Sequence, residues 1–188
     1  MELPDPDLVG VLITSLVGLV VLWDIWLLWR RYDSIPKMGP LPNGGHAWSS
    51  TLEQEIARHW SSILALTIMM AAPWVLAATT DTSTWVVVAF DVLLFIHLIG
   101  MILPKRYAVT KTHLFSDGQR HDWDNLRLAL KQPRGRILLQ RKGWSIFAPL
   151  PLGGEPSELS IARAWIAAAM IGGEEWQERC KELGIEEE

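Results

Sequence analysis

Residues 85–110 read WVVVAFDVLLFIHLIGMILPKRYAVT, and three kinds of chain meet there. Trp85 to Leu103 is apolar apart from Asp91 and His97. A helix needs about 20 such residues to cross a hydrocarbon core about 30 Å thick. Pro104 breaks the helical pattern, and Lys105-Arg106 is a basic pair of the kind retained in the cytoplasm. From Tyr107 the period changes to two, with Tyr107-Ala108-Val109-Thr110 reading as a strand. The stretch therefore predicts a spanning helix that leads directly into a β domain.

Toward the N-terminus two further stretches are long and apolar. Leu8 to Trp29 is broken only by Asp24, and Ser61 to Thr80 carries no charge. Ser50, Thr51 and Glu53 form a helix start of capping-box type, so the second helix is expected to begin in the cytoplasm. Three helices are predicted at about 8–29, 51–80 and 85–103. Trp26, Trp29, Trp60 and Trp85 lie near their ends, where amphipathic rings meet headgroups. The leader Glu2 to Asp7 is acidic, with no basic n-region and no small-residue cleavage site. The first stretch is thus expected to be a retained helix rather than a signal peptide. The leader and residues 82–84 hold no Lys or Arg, whereas residues 30–60 hold Arg30, Arg31, Lys37 and Arg58. The expected location is the cell membrane, multi-pass, with the N-terminus outside and the C-terminal part cytoplasmic.

The 188 residues are 49% hydrophobic and include a single Cys, which excludes a disordered chain and a disulfide scaffold. The net charge of −4 hides a division. Residues 105–142 carry ten bases against three acids, and residues 155–188 carry three bases against nine acids. Residues 31–50, with Pro36, Gly39, Pro40, Pro42, Gly44 and Gly45, are expected to be an irregular connector.

Residues 1–104 thus form the membrane domain and 105–185 the cytoplasmic one. In the latter, Asp117-Gly118 is the strongest hairpin signal and pairs Phe115 with Arg120 and Leu114 with His121. Tyr107, Val109, Leu114 and Trp123 then share a core-facing side. Leu126, Leu128 and Leu130 alternate with polar residues as a half-buried strand. Ile137–Gln140 and Ser145–Ala148 are expected to form a hairpin about Lys142-Gly143, followed by a linker from Pro149 to Pro156. Ser157 is expected to cap a helix that carries Leu159, Ala162, Trp165, Ile166, Ala169 and Met170 at helical spacing. Trp176, Cys180 and Leu183 continue its apolar stripe beyond Gly172-Gly173.

Tyr107-Ala108-Val109-Thr110, Leu114 and Trp123-Asp124-Asn125-Leu126 resemble the short pleckstrin-homology-like (PH-like) domains that follow membrane helices in prokaryotic proteins. The resemblance covers residues 105–171. It implies a small β-barrel capped by a C-terminal helix, with six strands readable here against the seven of a full barrel. The predicted fold class is an integral membrane α-helical protein of three spans plus an α+β cytoplasmic domain.

Asp24, Asp91 and His97 lie within spans, where ionisable groups are costly and normally face protein or water. At 1.5 Å per residue, His97 lies about 18 Å and Asp24 about 24 Å from the outer helix ends, so the two can meet. Asp91, about 9 Å deep, is too shallow to reach Asp24. One His and two acids make no continuous proton path, so an interhelical hydrogen bond outweighs a relay. His113, Asp117, His121, Asp122 and Asp124 resemble a metal set in composition only, because hairpin geometry points His113 and His121 to opposite sides. Cys180, on an acidic helix with no His nearby, is expected to be inert.

The basic block fits anionic headgroups, with Arg134, Arg136 and Lys142 at exposed turns as the lipid-facing candidates. Nucleic acid is excluded as a partner by the acidic total and the lack of a stacking platform. No nucleophile–base pair, cofactor motif or metal set is readable, so no enzyme is expected and no cofactor or metal assigned. The expected function is a noncatalytic membrane-anchored scaffold whose partner is anionic lipid, another protein or a second copy. The alternative is a small oligomeric transport or channel component using Asp24 and His97.

Overall fold

The computed structural model describes residues 5–35, 37–77, 82–133, 135–143 and 149–184. The chain divides into two units. One comprises residues 1–28 and 55–103, the other residues 29–54 and 104–188.

The first unit is helical. It contains most of α1 (Pro6–Ser34), most of α2 (Leu52–Ala77) and all of α3 (Thr84–Ile102). α1 and α3 are long and apolar enough to cross a membrane. Only 6% of the apolar window of α1 and 22% of that of α3 is buried within the chain. Val21, Leu66, Val86, Val87 and Leu94 are buried, whereas Leu12, Leu16, Leu19, Leu22 and Val92 are exposed. Asp7 accepts the Ser83 backbone N–H at 2.8 Å, which satisfies a donor at the start of α3. α2 continues through Pro73. Its start is capped by Thr51, whose hydroxyl accepts the Gln54 N–H at 3.3 Å.

The second unit is α+β. Strands β1 (Gly39–Pro40), β2 (His46–Ser49), β3 (Arg106–Val109), β4 (His113–Ser116) and β5 (Gln119–Asp122) form one antiparallel sheet in that order. A 3₁₀ turn at Trp123–Asn125 leads to β6 (Leu126–Leu128), β7 (Ile137–Arg141) and β8 (Pro149–Leu152), a second antiparallel sheet. α4 (Pro156–Ile171) and α5 (Gly173–Glu182) follow. The shared core is rich in large rings. Trp48, Tyr107, Trp165 and Trp176 are each at most 1% exposed, with the Trp165 and Trp176 centroids 4.7 Å apart. Leu114, Ile137, Leu139, Leu152 and Ile166 fill the space between them.

The β4–β5 hairpin has the expected register, Leu114 opposite His121 and Phe115 opposite Arg120. Its turn residues Asp117 and Gly118 have φ of 57° and 73°, the geometry that suits the twist of paired strands. Tyr107, Val109, Leu114 and Trp123 are all buried.

Six expectations are corrected. Residues 31–50 are not merely a connector, because β1 and β2 lie there and β2 pairs with β3, His46 opposite Val109. The glycines read as strand breakers instead turn the chain into β2. The eight described strands form two open sheets, not a closed barrel. The presumed linker contains β8, where Pro149 and Pro151 are tolerated because β8 is an edge strand and their missing N–H groups break no ladder. α4 starts at Pro156 with Glu155 as its N-cap, rather than on Ser157, because proline suits the first helical position. The alternation after Leu126 fails too. Ala129 is buried while Leu128 and Leu130 are exposed, since the ladder ends at Leu128 opposite Leu139. Leu183, expected on the apolar stripe, is also exposed. Residues 144–148, expected to form the second arm of the last hairpin, lie outside the described residues.

Candidate functional site

In the helical unit, α1 carries Asp24 and α3 carries Asp91 and His97. Asp24 Oδ2 and His97 Nδ1 form a hydrogen bond. Their side chains are 31% and 26% exposed, so the pair lies on the helix surface rather than sealed in a core. The pair links α1 to α3. Asp91 is occupied elsewhere. Its Oδ2 accepts Trp74 Nε1–H at 2.6 Å, and its buried Oδ1 has no hydrogen-bond partner among the described residues. Asp24 and His97 are brought together, and Asp91 of α3 is held apart from them by Trp74 of α2.

A group the sequence reading missed lies at the start of α2. Glu55 is fully buried. Its Oε2 stands 3.3 Å from Arg58 and 3.6 Å from His59, while Oε1 accepts no hydrogen bond from the described residues. The signal was present in the i, i+3 and i, i+4 spacing of Glu55, Arg58 and His59, which puts all three on one helix face. Burial is what spacing cannot reveal.

In the α+β unit, much of the basic charge is committed. Arg31 pairs with Asp117 at 2.5 Å, and Lys105 stands 3.6 Å from the same carboxylate. The Arg106 guanidinium lies 3.9 Å from the Tyr32 ring centroid and donates to the Ile35 carbonyl at 2.6 Å. His46, buried on β2, pairs with Glu158 in the first turn of α4.

Of the lipid-facing candidates, Arg134 lies outside the described residues. Arg136 precedes the first residue of β7 and Lys142 follows its last, so they occupy opposite ends of a strand roughly 17 Å long. They do not form one patch. Arg136 has basic company, because Arg163 of α4 donates to its carbonyl at 3.2 Å.

His113 faces Asp122 at 3.2 Å, while His121 lies opposite Leu114. Burial, then the Arg120 charge, lowers the His113 pKa against the opposing pull of Asp122. Burial, then Arg141, lowers that of His121. Among the described residues no three His, Cys, Asp or Glu side chains converge as a metal set.

Compared with protein-family models, with curated proteins and with solved structures, the chain matches none.

Proposed function

We propose that this chain is a noncatalytic scaffold of the cell membrane, anchored by three spans, with its α+β unit in the cytoplasm and its N-terminus outside. That unit contacts anionic lipid or another protein. Connectivity carries the reading. The chain passes between the apolar unit and the α+β unit at residues 28–29, 54–55 and 103–104. A folded unit joined at three points to apolar helices cannot diffuse away from the bilayer those helices enter. α2 serves as the third span, since residues 61–77 carry no charge. Two open antiparallel sheets that share a core with α4 support a PH-like class in an open form.

The Asp24–His97 pair favours a second reading, a transport component that moves a proton or cation past this pair. The full chain in proteoliposomes separates the two. A scaffold leaves proton and cation flux at the level of empty liposomes. Flux that falls on Asp24→Asn or His97→Gln would establish the transport reading. Crosslinking the full chain in native membranes, with an unrelated three-span protein as control, tests the scaffold directly. Recovery of no specific lipid or protein on the α+β unit would sink it.

A further inference from the structure

The turn between β6 and β7 presents an apolar tip in a basic setting. Leu130 is fully exposed and Leu128 is 43% exposed. Single exposed leucines are ordinary. This one is held outward by a built loop. The Gln132 side-chain amide donates to the carbonyls of Ala129 at 2.9 Å and Leu138 at 2.8 Å, and its oxygen accepts the Leu138 N–H at 2.8 Å. The amide replaces a missing strand at the point where the β6–β7 ladder stops, so Leu130 has no route back to the core.

The surroundings indicate what the tip meets. The two leucines border a groove of about 470 Å³, whose other lining residues include Arg127, Lys131 and Gln140 and no acid. Arg136 and Arg163 stand at the far side of the same turn. The unit that carries this turn is joined to the apolar helices at residues 28–29, 54–55 and 103–104.

We propose that residues 127–131 are a membrane-dipping turn. Leu128 and Leu130 enter the boundary between headgroups and acyl chains, and Arg127 and Lys131 take the phosphates of anionic lipids. The proposal rests on the reading of α2 as a span. A lipid surface fits better than a protein strand, because β6 offers only three residues for pairing and the most exposed leucine lies beyond its end. Apolar residues flanked by bases are the composition of segments that lie in a bilayer interface.

The test uses the full chain in nanodiscs, with an environment-sensitive dye on Leu130→Cys, Lys142→Cys or Trp60→Cys. Cys180 is buried, and the unsubstituted chain supplies the labelling background. Nitroxide lipids labelled near the headgroup end of the acyl chain act as quenchers. In phosphatidylglycerol-rich discs, quenching at 130 should exceed that at 142 several-fold. It should fall in phosphatidylcholine discs and on Arg127→Gln with Lys131→Gln. Quenching at 60 but equal at 130 and 142 would overturn the turn while leaving the span intact. No quenching at 60 would overturn the span reading and the turn with it. A blue-shifted dye at 130 without lipid quenching would mean that protein covers the loop, and would also overturn the proposal.

Discussion

Gly45 has φ of 105°, and a Cβ built on it would lie 2.0 Å from the Val109 carbonyl oxygen. Only glycine lets β2 approach β3 there. Gly45→Ala should therefore destabilise the α+β unit by about 1–3 kcal/mol or more, read from denaturant unfolding of the full chain in detergent. Trp48, one residue beyond the Ala47–Ala108 pair, buries its ring and donates Nε1–H to the Gly153 carbonyl at 2.9 Å. Trp48→Ala should cost about 3–5 kcal/mol in the same measurement. Trp123→Ala should fall in a similar range, because its ring is buried and its Nε1 donates to Thr110. His113 and His121 both hold their protons less tightly in the fold than the ordinary value of 6.5. The unfolded chain then binds more protons as pH falls below that value. Their contribution is complete above about pH 6.5 and is lost as pH falls through the lowered folded values. His121→Gln should flatten the decline in melting temperature on acidification, and an unchanged slope would refute the linkage.

Gln54 illustrates how an element's end can serve two purposes. Thr51 and Gln54 have the spacing of a capping box, in which the Gln54 side chain would return to the Thr51 backbone. Instead that amide grips both backbone groups of Gly154, just after β8. Gln54→Ala removes two hydrogen bonds at about 0.5–1.5 kcal/mol net each, so the unit should lose about 1–3 kcal/mol. Gln54→Glu would keep the acceptor and lose the donor, and its loss should be smaller than that of Gln54→Ala if both bonds matter. Unfolding midpoints of the two variants would show whether this clasp holds. The β6–β7–β8 sheet also sorts its basic residues by end, with Arg136 at one and Lys142 at the other. Changes at Arg136 should weaken any salt-sensitive contact with anionic headgroups in nanodiscs more than changes at Lys142. Equal effects would mean that the strand's two ends meet the same surface.

The proposed three spans would put Asp5 and the α+β unit on opposite sides of a membrane. Cys introduced at Asp5 should react with an impermeant reagent in intact cells, whereas Cys at the exposed Asp124 should react only after permeabilisation. Labelling of position 124 in intact cells would reverse the orientation. The Asp24–His97 bond makes a further claim about the assembled helices. Replacing one partner by an apolar residue leaves the other without its hydrogen bond. The double variant Asp24→Leu, His97→Leu should then be no less stable than the worse single variant, as measured by resistance to unfolding in mild detergent. Additive losses from the two singles would show that the groups do not act as a pair.

Helices α1 and α3 and the β4–β5 hairpin could be read from local physics. Spanning length is a property of one stretch, and the Asp117-Gly118 turn is legible because few residues adopt positive φ. Helix rise alone puts Asp24 and His97 at depths where they can meet. β2 stayed hidden because its partner β3 follows across two intervening helices, and pairing at that separation leaves no periodic trace in four residues; β1, two residues long, pairs with β2 and stayed hidden with it. β8 stayed hidden because two prolines argue against a strand unless it is an edge, and edges exist only once a sheet has formed. The same holds for Leu130, which by alternation belongs inside. Its exposure follows from where the ladder ends and from the amide of Gln132 taking the ladder's place. Burial of Glu55 likewise depends on what surrounds it, since its own helix can supply spacing but not cover.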